Sequence, residues 1–198
     1  MRPRREVLWM DVWPRVKYDD PVCGENHFAP TESDKMKIAV ISDIHDHLPL
    51  LRHALSRIRE TDALICCGDL CSPFIVKALG SNYPKDIYIV LGNNDGDPYL
   101  MSLRAKEFPH IHFIPNFADF TLQGKRIAVI HYDDIARPII ASGWYDVDCF
   151  GHNHRYETST EGRTRCINPG ELSGVLTGEP TFAILDTETD TVEKISLL

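Results

Sequence analysis

Five apolar runs in this sequence each end in a small group of Asp, Asn or His residues. In chain order the groups are Asp43-Ile44-His45, Gly68-Asp69, Gly92-Asn93-Asn94-Asp95, His131 and Gly151-His152-Asn153-His154. Carboxylate, amide and imidazole side chains together form an oxygen and nitrogen ligand set that suits Mn, Fe or Zn. Taken singly, each group also fits a turn, a helix cap or a buried histidine. Because all five groups occur at the ends of apolar runs, together they indicate a metal site.

The elements that must position these groups follow a repeated strand and helix pattern in the first half. The predicted elements are strands at 37–43, 63–69 and 86–92 and helices at 48–60 and 72–80. This alternation favours parallel strands joined by helical crossovers. The carboxyl ends of such strands share one edge of the sheet, and ligands bind there. We therefore expect one shared site at that edge, and Gly80 as the C-terminal cap of the second helix.

The second half predicts paired strands and a further helix. Two strands surround the turn Gln123-Gly124, a short helix covers 134–143, and a buried strand covers 146–154. Alternating segments after residue 155 predict antiparallel hairpins. The pattern thus predicts one mixed α/β domain over residues 36–198.

Residues 1–35 read differently from the rest, because they have neither a helical nor an alternating period. The favoured interpretation is a loose N-terminal extension, either disordered or the result of a start codon chosen upstream of Met36. The alternative is a segment whose Trp9 and Trp13 dock on the domain or on a partner.

The composition is that of an acidic globular chain. Its 198 residues carry 29 acidic and 21 basic side chains, for a formal net charge of −8, and 43% of them are hydrophobic. This balance argues against a broad surface for nucleic acid or for an anionic membrane. An acidic protein that binds an anionic substrate needs local positive charge, which a divalent metal can supply.

Cysteine usage and hydropathy predict the location. The six cysteines lack the dense, regular spacing of a small secreted scaffold. No run approaches the roughly 20 apolar residues that cross a bilayer. We therefore expect reduced cysteines in a cytoplasmic protein without a membrane partner, and a homo-oligomer is compatible with the sequence.

The set D-x-H, G-D, G-N-x-D, H and G-H-x-H, in this order, resembles the signature of the calcineurin-like metallophosphoesterases. The short loops and small size resemble the compact bacterial and archaeal phosphodiesterase branch of that family. The resemblance covers residues 36–198, and Asn168-Pro169-Gly170 resembles an element that this branch carries late in the chain. It implies a four-layer α/β/β/α sandwich with two mixed β-sheets.

The resemblance also implies two divalent metal ions, with Mn expected and Fe, Zn, Ni or Mg as alternatives. One ion would be held by Asp43, His45 and His154, the other by Asn93, His131 and His152, and Asp69 would bridge them. Two cations about 3.5 to 4 Å apart can share a hydroxide that attacks phosphorus in line while the metals neutralise the phosphoryl oxygens. The expected substrate is a phosphate ester, and a diester is favoured because few Lys and Arg surround the motifs to meet a doubly charged monoester.

Four further residues are expected to support the reaction. Asn94 stands where larger relatives resemble Gly-Asn-His, and an amide cannot donate the leaving-group proton as that histidine would. His47 is the candidate replacement, the alternative being a residue at a helix start that faces solvent. Asp95 or Asp148 is expected to accept a hydrogen bond from a ligand histidine. For Asp148 the favoured alternative is a polar residue on a half-exposed strand.

Three departures from the family pattern lie near the motifs, and the first is Asp46-His47, where the family often resembles Gly-Asn. Tyr132-Asp133 replaces the more usual Gly-His and is expected to reshape the wall that faces the phosphate. Glu171 replaces a frequent Ser, and its carboxylate is expected to disfavour highly anionic substrates. Apart from these departures, Cys71 follows Asp69 by two residues and is close enough in sequence to line the site, but the favoured interpretation is a packing thiol.

The alternative to an enzyme is a non-catalytic protein-binding scaffold on the same fold. Such a protein should have lost some ligands, whereas all seven expected positions are filled here. A dinuclear hydrolase of amide or lactone bonds would usually present a different histidine-rich pattern. The sequence therefore favours a metal-dependent phosphoesterase.

Overall fold

The computed structural model of the protein describes residues 35–198. The predictions made for the N-terminal extension, including docking by Trp9 and Trp13, lie outside the described residues apart from Lys35. The elements of the first half are β1 (Lys37–Ile41), α1 (Leu48–Arg57), β2 (Ala63–Cys66), α2 (Pro73–Asn82), β3 (Asp86–Ile89), α3 (Pro98–Ala105) and β4 (Ile111–Phe113). Those of the second half are β5 (Ala118–Leu122), β6 (Lys125–Val129), α4 (Asp133–Ser142), β7 (Val147–Cys149), β8 (Tyr156–Glu161), β9 (Thr164–Pro169), β10 (Thr181–Asp186) and β11 (Thr191–Ser196).

The strands form two mixed sheets. The first has the order β11-β10-β1-β2-β3-β4, in which β1 to β4 are parallel and the β10-β11 hairpin pairs antiparallel to β1. The second has the order β5-β6-β7-β9-β8, in which β6, β7 and β9 are parallel and β5 and β8 close the edges antiparallel. The predicted parallel crossovers and antiparallel hairpins are both confirmed.

Alternation along β1 shows how the layers stack. Ala39 and Ile41 pack in a cluster with α1, α2 and α3, whereas Ile38 and Val40 pack with residues of the second sheet. Successive side chains of a strand point to opposite faces, so β1 contributes to both cores. On the far side of the second sheet, Ala136 and Ile140 of α4 cover Cys166. These contacts produce the predicted order of helices, sheet, sheet and helix.

The structure differs from the prediction at the end of α2 and in the segment after β3. Gly80 does not cap α2 but lies inside it, and the helix ends with Tyr83 as its C-cap. A Cβ at position 80 would lie 2.4 Å from the Phe108 ring, so glycine allows that ring to pack on the helix. Helix α3 and the three-residue strand β4 were not predicted.

The described helices are all short. Within residues 35–198, none is long and apolar enough to cross a membrane.

Candidate metal centre

The five motif groups meet at the carboxyl edge of the two sheets. Backbone hydrogen bonds hold their loops side by side: the N–H of Asp43 donates to the carbonyl of Gly68 at 3.1 Å, and that of His45 to the carbonyl of Asp69 at 3.0 Å. In the second sheet, the N–H of Gly151 donates to the carbonyl of His131 at 2.9 Å. Each loop therefore depends on the position of its neighbour.

One group of ligand atoms belongs to Asp43, His45, Asp69 and His154, and its atoms all lie within 4.8 Å of one another. His154 Nε2 lies 3.4 Å from Asp43 Oδ1, and His45 Nε2 lies 3.7 Å from Asp69 Oδ2. These short separations bring two imidazole nitrogens and two carboxylates to one point.

A second group surrounds the side chain of Asn93. Its Oδ1 lies 3.1 Å from His131 Nε2 and 3.0 Å from His152 Nδ1. His131 Nε2 is also 3.5 Å from Asp69 Oδ2. The carboxylate of Asp69 thus lies between the two groups, and all seven predicted ligands are brought together.

The first group has the properties of a cation site. Asp43 Oδ1 and His45 Nε2 are buried and have no hydrogen-bond partner within residues 35–198. Burial raises the pKa of Asp43, and Ser42, His131 and His154 oppose the shift. Unpartnered buried polar atoms are costly, and a divalent cation between them would remove that cost. The residues present therefore fit a divalent metal.

Backbone strain is concentrated in this site. The left-handed region of φ contains five of the seven predicted ligands, namely Asp43 (53°), His45 (45°), Asp69 (54°), His152 (72°) and His154 (63°). Non-glycine residues seldom adopt this conformation, and such strain persists where surrounding structure imposes it, often at functional sites. The strain is consistent with side chains that are held in place for binding.

Two motif glycines are required because side chains of neighbouring loops lie against their Cα atoms. A Cβ at Gly92 would lie 2.2 Å from Asp69 Oδ1, and a Cβ at Gly151 would lie 2.0 Å from Ser42 Oγ. Any larger residue would displace the loop that carries the adjacent ligand. This explains why glycine precedes Asn93 and His152.

The histidines are oriented by neighbours that the sequence analysis did not identify. His131 Nδ1 lies 2.8 Å from the carbonyl oxygen of Cys67, which can only accept, so this nitrogen carries the proton and Nε2 faces Asn93. His45 Nδ1 lies 3.5 Å from Cys71 Sγ. The prediction that Asp95 or Asp148 accepts from a ligand histidine is wrong, because the hydrogen bonds of these histidines go elsewhere.

Glu171 lies behind His154. Its fully buried carboxylate is 2.8 Å from His154 Nδ1 and also accepts from Leu176 and Thr177. Burial acts to raise the pKa of Glu171, but the hydrogen bonds from His154, Thr177 and Leu176 outweigh it and lower that pKa to about 2. Glu171 thus orients His154, and the prediction that its carboxylate faces the substrate is wrong. The only feature of the sequence that pointed to Glu171 was its position directly after Asn168-Pro169-Gly170.

Asn94 and Asp95 position Asp69. The backbone N–H and the side-chain amide of Asn94 donate to the two carboxylate oxygens of Asp69, both at 2.8 Å. The carboxylate of Asp95 accepts from the backbone N–H groups of Gly92, Cys71 and Asp69. Burial has the larger effect and raises the pKa of Asp95, although these hydrogen bonds oppose the shift. The contacts tie the two loops that carry Asp69 and Asn93.

Comparison with known proteins identifies the family of this chain. Residues 36–190 match the model of the calcineurin-like phosphoesterase superfamily domain. The chain belongs to the calcineurin-like phosphoesterase superfamily. A phosphodiesterase of Methanocaldococcus jannaschii is 34% identical over 166 residues, which cover 82% of this chain and 99% of that protein.

Solved structures show the same calcineurin-like fold. An archaeal phosphodiesterase aligns with a TM-score of 0.77 and 34% identity over 82% of this chain and 100% of its own. A phosphoesterase from E. coli aligns at 0.58 with 18% identity, covering 82% and 100%. Vacuolar protein sorting 29 of Cryptosporidium parvum aligns at 0.59 with 17% identity, covering 82% and 96%. The last two resemblances concern the fold alone.

His47 and Asp148, two residues predicted to support the candidate site, occupy different environments. His47 Nδ1 accepts the N–H of Leu50 at 3.3 Å and thus caps α1. Asp148 is fully buried in β7, and neither of its carboxylate oxygens has a hydrogen-bond partner among residues 35–198, so the expected half-exposed position is wrong. Burial raises the pKa of Asp148 to about 8.

The departure at Tyr132-Asp133 does reach the site. The Tyr132 ring centroid lies 5.2 Å from those of His131 and His152. Asp133 accepts a hydrogen bond from Asn153 in the loop between the two last histidines. The half-buried Cys71 lies beside His45, so its thiol is next to the candidate ligands.

Proposed function

We propose that this calcineurin-like phosphoesterase hydrolyses phosphodiesters with two divalent metal ions, Mn being the expected metal. The observation that carries the proposal is the carboxylate of Asp69 between two groups of ligand atoms. Asp69 Oδ2 lies 3.7 Å from His45 Nε2 in one group and 3.5 Å from His131 Nε2 in the other. The phosphodiesterase relative at 34% identity supports the reaction class.

Seven residues would hold the two ions. Asp43, His45 and His154 would bind one, Asn93, His131 and His152 the other, and Asp69 both. When bound there, the ions supply positive charge for the phosphoryl oxygens and lower the pKa of water in the site.

The chain's own residues keep this ligand set in its binding geometry. Asn94 holds both oxygens of Asp69, so the carboxylate cannot rotate away. Glu171 holds the proton of His154 on Nδ1, which leaves Nε2 as the lone-pair nitrogen that faces Asp43. Fixing tautomers and rotamers in advance lowers the cost of metal binding.

The charges of the site favour a diester. Within residues 35–198, no Lys or Arg forms a hydrogen bond or ion pair with any of the seven candidate ligands. A monoester brings a second negative charge, which Arg or Lys would usually meet. His47 is proposed as the donor of the leaving-group proton, because Asn94 cannot fill this role and only Nδ1 of His47 is used in capping.

The test is hydrolysis of bis-p-nitrophenyl phosphate and of p-nitrophenyl phosphate by metal-stripped protein, with and without added Mn. We expect Mn to restore hydrolysis of the diester in the wild type but not in His152→Ala, which controls for contaminating enzymes. Stoichiometric metal binding without hydrolysis of either ester would contradict the proposal and favour the protein-binding scaffold.

A further inference from the structure

We propose that three exposed or half-exposed aromatic residues, Phe74, Tyr99 and Tyr132, form an aromatic rim that binds an aromatic group of the diester, such as a nucleobase. The inference rests on the proposed function, because it concerns the substrate of the same site. It adds a chemical class of substrate that the metal ligands alone do not define.

Phe74 and Tyr99 occupy equivalent places in two successive strand–helix units. Each is the second residue of its helix and follows a proline, Pro73 in α2 and Pro98 in α3. Phe74 is 73% exposed and Tyr99 is 74% exposed. A single exposed aromatic residue on a soluble protein needs no explanation, but a matched pair beside a ligand site suggests binding.

Hydrogen bonds place this pair next to the metal ligands. The N–H of Gly96 donates to the carbonyl of Cys71 at 3.0 Å, so the loops that precede α2 and α3 run side by side. Phe74 follows Cys71 by three residues, and Tyr99 follows Gly96 by three. Cys71 Sγ is 3.5 Å from His45 Nδ1, and three residues of chain span at most about 11 Å. The backbones of Phe74 and Tyr99 therefore lie close enough to the candidate ligands for both side chains to contact a nucleotide-sized substrate bound there.

Tyr132 contributes an aromatic surface from the second sheet. Its ring makes edge contacts with His131 and His152 at 5.2 Å each. Tyr132 is half-buried, its side chain does not cap α4, and its hydroxyl makes no hydrogen bond within the described residues. The ring packs partly against the cluster that contains Ala136 and Ile140, and because it also lies against two candidate ligands, its exposed part is near whatever binds at the metals.

The charges near the rim favour recognition by stacking over recognition by ion pairing. The loops before α2 and α3, residues 69–72 and 92–97, contain Asp69, Asp95 and Asp97 but no Lys or Arg. Additional phosphates would therefore be repelled, whereas every nucleobase presents a π-face to an aromatic side chain. The structure thus favours a singly charged diester that carries an aromatic ring.

The experiment compares two esters with the same leaving group, the p-nitrophenyl ester of thymidine 5′-phosphate and methyl p-nitrophenyl phosphate. The variants are the double substitution Phe74→Leu with Tyr99→Leu, and Tyr132→Leu beside Tyr132→Phe, which retains the ring. Trp144→Leu is the control, because Trp144 is another aromatic residue, 69% exposed, between α4 and β7.

We expect the double variant and Tyr132→Leu each to raise KM for the thymidine ester about tenfold, as loss of base stacking would, with kcat within about twofold. KM for the methyl ester should not change in the double variant, Tyr132→Phe should keep the KM for the thymidine ester that Tyr132→Leu raises, and Trp144→Leu should match the wild type for both esters. Calorimetric binding of thymidine 5′-phosphate methyl ester to the same proteins gives a readout that does not require turnover.

The outcomes separate this proposal from the proposed function. A wild type that hydrolyses neither ester refutes the phosphodiesterase, and the calorimetric binding then still decides whether the rim binds a base. A wild type that hydrolyses both esters, with variants that affect both equally or neither, refutes the aromatic rim while leaving the phosphodiesterase intact.

Discussion

Replacing Asp148 by asparagine should flatten the decline of the free energy of unfolding with rising pH. Asp148 lies in β7, pairs in register with Cys166 of β9 and has both carboxylate oxygens buried without a hydrogen-bond partner in the described part of the chain. Burial raises its pKa from 3.8 to about 8. The folded state therefore keeps a proton that the unfolded chain releases.

The size of the effect follows from linkage between proton binding and folding. Because the pKa is raised on folding, the full stability is present below the unfolded pKa and is lost as pH rises towards the folded pKa. Between the unfolded pKa of 3.8 and pH 7 stability is lost over about 3 pH units, which at about 1.4 kcal/mol per unit is a loss of about 4 kcal/mol at pH 7. For a chain of this size the difference corresponds to a melting temperature lower by roughly 10 °C.

The assay is urea unfolding of the wild type and of Asp148→Asn from pH 5 to pH 8, with the slope of stability against pH as the readout. The slope is preferred because the buried amide also lacks partners, which affects the absolute stability at every pH. Asp134→Asn is the matched control, since Asp134 is an exposed carboxylate in α4. Equal slopes for the wild type and Asp148→Asn would refute the assignment of a buried, neutral carboxyl group.

Three further predictions concern the candidate metal centre. Glu171→Gln should weaken Mn binding about 10- to 100-fold in equilibrium dialysis, because His154 loses the carboxylate that orients it; an unchanged affinity would show that other contacts suffice. Asn94→Ala should lower turnover of bis-p-nitrophenyl phosphate roughly tenfold, since Asp69 loses the hydrogen bond from the Asn94 side-chain amide and keeps only the one from the backbone N–H, and wild-type turnover would exclude this positioning role. Gly92→Ala should abolish turnover because its Cβ would lie 2.2 Å from Asp69 Oδ1, whereas Gly96→Ala, with its nearest neighbour at 3.4 Å, should stay within about twofold. Equal loss in both glycine variants would contradict the steric argument.

The seven candidate ligands could be predicted because each follows an apolar strand whose end is fixed by the sheet. Strand polarity alone brings Asp43, Asp69 and Asn93 to one edge, and the second sheet does the same for His131 and His152. The resemblance to calcineurin-like proteins then defined their roles, and the comparisons confirm the family. The metal identities, a cytoplasmic location and an oligomeric state remain predictions.

The neighbours that orient these ligands could not be read from the sequence. Glu171 reaches His154 from the loop after β9, and the carbonyl of Cys67 reaches His131 from a different sheet. Asp95, in contrast, is occupied by backbone N–H groups of its own and the neighbouring loop. These contacts depend on tertiary packing, which no local spacing encodes.

The errors in the fold have the same origin. Gly80 looks like a helix cap, but Phe108 from a distant segment packs against it, so the helix continues to Asn82. Helix α3 has eight residues and β4 only three half-buried ones, lengths at which periodicity gives little signal.

The most direct test of a dinuclear centre is to titrate metal-free protein with Mn while measuring bound metal and hydrolysis of bis-p-nitrophenyl phosphate in the same samples. We predict two Mn per chain, turnover that rises only as the second site fills, and loss of turnover in Asp69→Asn. Turnover that saturates at one Mn per chain, or that persists after metal removal, would contradict the central claim.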